Sequence, residues 1–505
     1  MQNIEKTLFA AADKMRGAMD PGEYKHIALG LLFLRYVSES FERLHADLAA
    51  DPTEDPEDRD AYLAERIFWV PEKARWSTLA KQAKSSDIGV ALDEAMRAIE
   101  ADNPSLKGAL PKVFSRQGLD RSILTGLIDL FTNKITFDGT QADFDLIGRV
   151  YEYFIGEFAS NEGKRGGEFY TPQSVVRVLT EMIQPFQGRL YEPCCGTGGF
   201  FVQDAKFIEA HAGSIRDIAL YGQERNHTTW RLARMNMAIR GLMADIRWNE
   251  RGTLIANAFP DERFDFALAN PPFNDSDWNG GLVREDVRWK YGVPPVGNAN
   301  FAWIQHVYHQ LAANGVAGVV MANGSMSSTT GGEGDIRREM VKGHAIDAIV
   351  ALPGQLFFGT PIPACLWILA ANKENGRIMG RGLRDRRGEI LMIDARKMGA
   401  LIPGSRKQKQ FSEEEIARIA GAYHDWREGD GYEDVPGFVR AAPLKEIERH
   451  GFVLNPGRYV GAGVAEEDGE PFEEVFSRLT EELRGQFEEG RRLEAEIEAR
   501  LGVLG

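Results

Sequence analysis

The sequence predicts an open α/β sheet covered by helices on both faces, with a helical domain before it and a charged helical tail after it. Residues 1 to about 135 place apolar side chains at helical spacing with few β-branched runs. From about Phe137 short, continuously apolar runs alternate with longer amphipathic segments, the pattern of strands buried on both faces. From Ala462 onward, 13 acidic and five basic residues surround one narrow apolar stripe, a local net charge of −8. A chain of 505 residues exceeds what one core fills, so more than one domain is expected.

Taken in order, the first domain (1–135) holds helices around "IEKTLFAAADKM" and "EYKHIALGLLFLRYVSESFERL". The acidic, proline-punctuated "DPTEDPEDRD" (Asp51–Asp60) reads as a loop within it. The second domain (136–400) has candidate strands at 189–192, 218–223, 264–269, 315–322, 345–352, 365–371 and 389–394. In such sheets ligands bind beyond the carboxyl ends of the strands, and there the chemistry is sought. The third region (401–505) ends in a long helix, about 471–501. Phe472, Phe476, Leu479, Leu483, Phe487, Leu493, Ile497 and Leu501 form its stripe, suited either to packing on its own domain or to binding a partner.

Composition narrows the class. No apolar run approaches the roughly 20 residues of a membrane span, and "MQNIEKTLFAAADKMRG" lacks the apolar core of a secretory signal, so a cytoplasmic location is expected. The three cysteines, Cys194, Cys195 and Cys365, have no zinc-site spacing, and no metal is expected. A net charge of −15 argues against a chain that coats nucleic acid over its whole surface, but the tail carries over half of that excess, leaving room for a local basic cleft.

Three strand ends carry the chemistry. In "YEPCCGTGGF" the glycines Gly196, Gly198 and Gly199 let backbone approach a ligand before a helix begins; alone, such a turn could hold a nucleotide, a flavin, S-adenosylmethionine or nothing. Glu224, in "YGQERN", ends the next strand with a carboxylate able to accept from both hydroxyls of a ribose, so the pair favours an adenosine-containing ligand. "ANPPF" then supplies Asn270, Pro271, Pro272 and Phe273. Two prolines hold the chain extended and leave carbonyls free, so the Asn270 side-chain oxygen and the Pro271 carbonyl form two acceptors beside the Phe273 ring. That suits a planar group with an exocyclic amine, stacked on the ring at about 1–3 kcal/mol, which offsets much of the few kcal/mol of flipping a base.

The order "GGEFYTPQSVV" (166–176), "EPCCGTGGF", "YGQERN", "ANPPF" resembles the N6-adenine DNA methyltransferases. The blocks "AADKMRGAMDPGEYKHIALGLLFLRYVSESFE" (11–42), "GNANFAWIQHV" (297–307), "GGEGDIRREMV" (331–341), "IVALPGQLFFGTPIPACLWIL" (349–369) and "LNPGRYV" (454–460) extend the resemblance, over nearly the whole chain, to the modification subunit (HsdM) of type I restriction-modification systems.

The resemblance implies a Rossmann-like sheet that uses S-adenosylmethionine, with Glu168, Phe169, Tyr170, Thr171, Pro172 and Gln173 lining the cofactor site. It adds Glu192, Gly196, Thr197, Gly198, Gly199, Glu224 and Asn270 to that site and gives the target adenine to Asn270–Phe273. Two positions depart from the family pattern. Glu192 stands where Asp is commoner, and Gly252 in "RGTL" stands where an Asp usually precedes Thr-Leu, leaving Asn249 or Glu250 as alternative partners for the cofactor's adenine amine.

The implied partners are double-stranded DNA, a separate specificity subunit flanked by two copies of this chain, and in some systems a restriction subunit. No base-reading module is recognisable in the sequence itself. The long segment Asn274–Asn300, with Arg284, Arg288, Trp289 and Lys290, is expected to order over flipped DNA, and "RIMGRGLRDRRG" (377–388) to form a solvated hairpin or touch phosphates. The rival readings are a methyltransferase for glutamine or an RNA base, and a silent DNA-binding or assembly subunit that kept the fold.

Overall fold

A computed structural model of the chain describes residues 4–17, 19–134, 141–161, 171–211, 213–357, 363–378, 380–402, 408–461, 480–481, 484–488 and 490–492. Met1–Val460 form one compact unit and Gly461–Gly505 a second.

The chain opens with helices α1 (Ile4–Met15), α2 (Pro21–Ala50), α3 (Arg59–Ala64), α4 (Trp76–Lys81), α5 (Ile88–Asp102) and α6 (Arg121–Lys134), followed by α7 (Gln141–Asn161). Their apolar faces meet in a core that buries Leu31, Phe41, Trp76, Leu127, Phe131 and Phe154. Polar groups inside it are paired, as buried groups must be: Asp93 accepts the N–H groups of Phe114 and Ser115, each at 3.1 Å. The same core takes in Leu232, Met235 and Ile239, residues of the later helix α10 (His227–Ile239), so the helical region is packed on the flank of the sheet.

The sheet comprises β1 (Gly188–Glu192), β2 (Ile218–Glu224), β3 (Ala244–Trp248), β4 (Phe264–Ala269), β5 (Leu311–Ala322), β6 (Ile346–Ala351), β7 (Ala364–Ala370), β10 (Glu389–Asp394) and β13 (Val439–Pro443); β8 (Arg377–Ile378) with β9 (Arg381–Gly382), and β11 (Ala400–Leu401) with β12 (Lys409–Gln410), are small separate hairpins. The strand order is β13-β10-β6-β7-β5-β4-β1-β2-β3. Pairing is parallel except where β7 runs against β5 and β6 and β13 against β10. This is the Rossmann-like sheet the sequence predicts.

Side chains alternate between faces with the period of two that a pleated strand imposes. Leu190, Phe266, Leu268, Val350, Leu366 and Ile368 join one core with α8 (Gln173–Ile183), α9 (Gly199–Ala210) and α13 (Glu413–Glu428). Tyr191, Ala267, Ile349, Trp367 and Leu369 join the other, with α11 (Asn300–His309), α12 (Glu333–Lys342) and α14 (Leu444–Arg449).

All seven candidate strands are present, and two more join them. Edge strand β3 buries only Ile246, so it carries no apolar run; β13 is equally short of one. Residues 409–443, assigned from the sequence to the C-terminal region, thus contribute α13 and the strand β13 to the sheet.

The basic stretch at 377–388 forms the β8–β9 hairpin, and only part of it faces water. Arg386 is buried and donates Nε to Asp347 Oδ1 at 3.0 Å, whereas Arg377 and Arg381 are exposed. Most of the predicted tail helix (471–501) lies outside the described residues. Residues 480–481, 484–488 and 490–492 are helical, and Phe487 of the stripe is 62% exposed.

Candidate active site

The segments that follow β1, β2, β3 and β4 converge on one cleft of about 630 Å³ at the carboxyl ends of the strands. Its walls come from Pro193, Cys194 and Gly196 after β1, Glu224 and Arg225 at the end of β2, Glu250–Ile255 after β3, and Asn270, Pro272, Phe273 and Asp275 after β4. The strand-end rule therefore brings together Pro193 and Asp275, 82 positions apart.

The glycine turn has the backbone its residues permit. Gly196 (φ +55°) and Gly198 (φ +79°) occupy the left-handed region that favours glycine, and a Cβ on Gly198 would lie 2.8 Å from Met237 Cε. Gly199 begins α9, and the space around its missing Cβ is open. The buried Thr197 carbonyl accepts Asn236 Nδ2–H at 2.8 Å, anchoring the turn to α10.

Glu224 fastens the turn from the opposite side. Its Oε2 accepts the Gly196 N–H at 3.0 Å and its Oε1 the Asn226 N–H at 2.7 Å. Burial nevertheless raises its carboxyl to about 7, with these N–H groups and Arg225 opposing the rise. Glu192, at the end of β1, is buried, and burial beside the Asp204 carboxylate lifts it well above the usual range, with the Phe201 N–H opposing the rise. A buried carboxyl raised in this way ionises when a cationic group comes beside it, so Glu192 fits a cationic ligand group.

The Asn-Pro-Pro-Phe segment is fixed at both ends. Asn270 donates Nδ2–H to Thr171 Oγ1 at 2.9 Å, while its Oδ1 is buried with no partner. Pro271 is buried behind the cleft wall. After Phe273 the chain turns through Asn274 (φ +54°), whose N–H donates to Asn300 Oδ1 at 3.0 Å; Asn300 Nδ2 returns a bond to Asn274 Oδ1 at 2.9 Å. Asn300 belongs to "GNANF", so that block serves as the clamp on the segment. The Phe273 ring meets Phe357 edge to face, with centroids 6.0 Å apart.

Thr171, Gln173, Thr197 and Gly199 line a small second pocket on the α9 side of the turn, beside Asn236 and Gln203. Buried Pro172 supplies the cap residue of α8. Glu168, Phe169 and Tyr170 lie outside the described residues.

Gly252 takes φ +73°, and its segment is tied to β1 through Thr253 Oγ1–H, which donates to the Pro193 carbonyl. Of the two alternatives weighed there, Asn249 Oδ1 accepts the Arg251 N–H at 2.9 Å, whereas Glu250 is exposed on the cleft wall.

The segment 274–300 departs from its expected role. Trp278 and Trp289 pack with Leu254 and Trp303 into a small core. Arg288 is buried, donating to Asp286, to the Leu254 carbonyl at 2.6 Å and to His306 Nδ1 at 3.0 Å. Arg288 and Trp289 are therefore committed inside the protein, and the exposed members of the segment include Asp277, Leu282, Arg284, Glu285, Val287 and Lys290. Cys194 lines the cleft, but burial lifts its thiol well above the usual range, in keeping with a packing role.

The Asn270–Thr171 bond, the Asn300 clamp, Phe357 and the small Trp core were missed by sequence reasoning. Signals existed for two of them, since "GNANF" and "LFFGT" stand in the quoted blocks.

Comparison with known proteins agrees with this architecture. Residues 142–468 match the N-6 DNA Methylase family and residues 4–131 the HsdM N-terminal domain. The chain is 43% identical to the HindI type I restriction enzyme methylase subunit of Haemophilus influenzae, over 86% of this chain and all of that protein. It is 35% identical to the MjaIX methylase subunit of Methanocaldococcus jannaschii, over 99% of this chain and 91% of that one. Among solved structures, a type I restriction-modification methyltransferase subunit from Streptococcus thermophilus superposes with a TM-score of 0.75 at 25% identity, covering 91% of this chain and 99% of that one. A modification subunit of a type I restriction enzyme from Vibrio vulnificus shares the fold, with a TM-score of 0.62 at 18% identity over 88% and 93% of the two chains. The chain belongs to the N-6 DNA methylase family, as a methylase subunit of the type I restriction-modification class.

Proposed function

We propose that the cleft binds S-adenosylmethionine against the glycine turn and presents Asn270–Phe273 to an adenine flipped out of duplex DNA, whose N6 receives the methyl group. The observation that carries this reading is the Asn270 Oδ1 acceptor, buried without a partner on a segment that shares its cleft with Glu224. An unsatisfied buried acceptor costs about 1–3 kcal/mol, and an amine N–H relieves that cost.

S-adenosylmethionine supplies an electrophilic methyl group on sulfonium. The residues of the chain do the rest. Glu224 accepts from the ribose hydroxyls, Glu192, whose buried carboxyl ionises beside a cation, meets the positive charge of the cofactor's amino-acid end, and Gly196, Gly198 and Gly199 keep side chains out of its path. Glu250 is the acceptor available to the cofactor's adenine amine in place of the family's Asp. At the target, Asn270 Oδ1 and the Pro271 carbonyl accept the two N–H bonds of the amine. They concentrate electron density on a nitrogen whose lone pair is otherwise delocalised, while Phe273 stacks on the base.

Target sequence is read by a separate specificity subunit, with two copies of this chain per assembly, and the tail that carries the helical residues 484–488 is its docking element. The 62% exposure of Phe487, an apolar residue of the stripe, supports that role. Labelled methyl transfer to plasmid DNA by the assembled enzyme, followed by nucleoside analysis, tests the activity. Label in N6-methyl-2′-deoxyadenosine supports it, and label elsewhere or nowhere contradicts it.

A further inference from the structure

The Asn270 amide has two chemically opposite ends, and only one of them suits the reaction. A terminal amide torsion is roughly two-fold, so intrinsic preference does not choose between them. With Oδ1 toward the base the side chain accepts from an amine. With Nδ2 toward the base, donor meets donor.

In the structure Nδ2 is committed to Thr171 Oγ1 at 2.9 Å, and Oδ1 is the end left buried and partnerless. Thr171 lies 99 positions from Asn270 and stands at the start of α8. It directly precedes buried Pro172, whose carbonyl accepts the N–H groups of Val175 and Val176 at 2.9 and 3.1 Å as α8 begins. A hydroxyl anchored at the start of one helix thus reaches across to the strand end that carries the acceptor.

We propose that Thr171 is a positioning residue for methyl transfer: its hydroxyl accepts Asn270 Nδ2–H and so turns Oδ1 to the target amine. This rests on the reading of Asn270 given above, and it assigns Thr171 a task beyond lining the cofactor site. The bond orients an acceptor that matters only once the base is in place, so its loss falls on kcat, over and above any change in cofactor binding.

The test uses the full chain assembled with its specificity subunit and measures kcat on plasmid DNA together with the calorimetric Kd for S-adenosylmethionine. Thr171→Val keeps the shape and removes the acceptor. Its kcat at saturating S-adenosylmethionine is expected to fall roughly 10- to 100-fold, the scale of losing one orienting contact, a loss that filling the cofactor site does not recover. Thr171→Ser keeps the hydroxyl and is expected to restore most of the rate.

Three results overturn the proposal: a valine variant with wild-type kcat, a valine variant whose loss lies wholly in cofactor Kd, or a serine variant as slow as the valine one. The serine arm decides the matter even if the valine variant folds poorly. Asn270→Ala, run in parallel, separates the two readings. If it is fully active, the assignment of the cleft fails; if it is inactive while Thr171→Val is normal, only the role of Thr171 fails.

Discussion

Glu224 Oε2 accepts the Gly196 N–H at 3.0 Å, so the carboxylate placed for a ribose also holds the glycine turn in shape. Replacing it removes both functions at once. Glu224→Ala is expected to weaken S-adenosylmethionine binding roughly 10- to 150-fold, the equivalent of about 1.5–3 kcal/mol for hydrogen bonds to a charged group. Calorimetric titration checks this, and affinity within a factor of two of wild type would contradict it.

The same carboxyl makes binding depend on pH. Burial raises Glu224 from its ordinary 4.5 to about 7. A group whose folded value is raised stabilises the fold fully below its unfolded value, and that contribution is lost as pH climbs through the folded value. The ligand-free protein should therefore lose stability between about pH 4.5 and pH 7, with Asp204, also lifted by burial to about 7, adding to the trend. Cofactor affinity should run the other way, because the ribose hydroxyls need the ionised carboxylate. It should be flat above pH 7 and fall about tenfold per unit below it. Titrations at pH 6, 7 and 8 measure this, and equal affinities would show that Glu224 does not hold the ribose.

Asp347 in β6 gathers α13 and the β8–β9 hairpin onto the sheet. It accepts Arg386 Nε–H at 3.0 Å and Tyr423 O–H at 2.8 Å, and lies 3.7 Å from Lys373 Nζ, all in the interior. Burial works against its ionisation, but Arg386 and Lys373 outweigh that and hold the carboxyl below its usual range. Asp347→Ala leaves two buried cations uncompensated and should cost about 3–5 kcal/mol, read as a lower denaturant midpoint. An unchanged midpoint would show the network to be dispensable.

Truncation after Val460 removes the second compact unit and leaves the first whole. The shortened chain is expected to bind S-adenosylmethionine with unchanged affinity and to lose co-elution with the specificity subunit on gel filtration. Retained co-elution would place the docking surface elsewhere.

What the sequence revealed and what it hid follow from the range of each interaction. Continuous apolar runs marked the inner strands because both faces of each are buried, as in β6 and β7. Edge strand β3 escaped because one buried isoleucine makes no pattern. Gly196, Glu224 and Asn270 were legible because backbone conformation and strand ends confine them to a few residue types. Thr171 on Asn270 and Phe357 on Phe273 depend on contacts across 99 and 84 positions, and a single sequence does not encode such distances. Arg288 and Trp289 stand in a segment expected to order over flipped DNA, but Trp289 packs with Trp278, Leu254 and Trp303 and Arg288 bonds the Leu254 carbonyl, contacts that only the fold brings together.

The most direct measurement compares wild type with Asn270→Ala for labelled methyl transfer to plasmid DNA by the assembled enzyme, with cofactor binding measured on the same preparations. Wild type should place label in N6-methyl-2′-deoxyadenosine. The variant should place none while its Kd for S-adenosylmethionine stays within about threefold. An Asn270→Ala enzyme that still methylates adenine would contradict the assignment of the cleft.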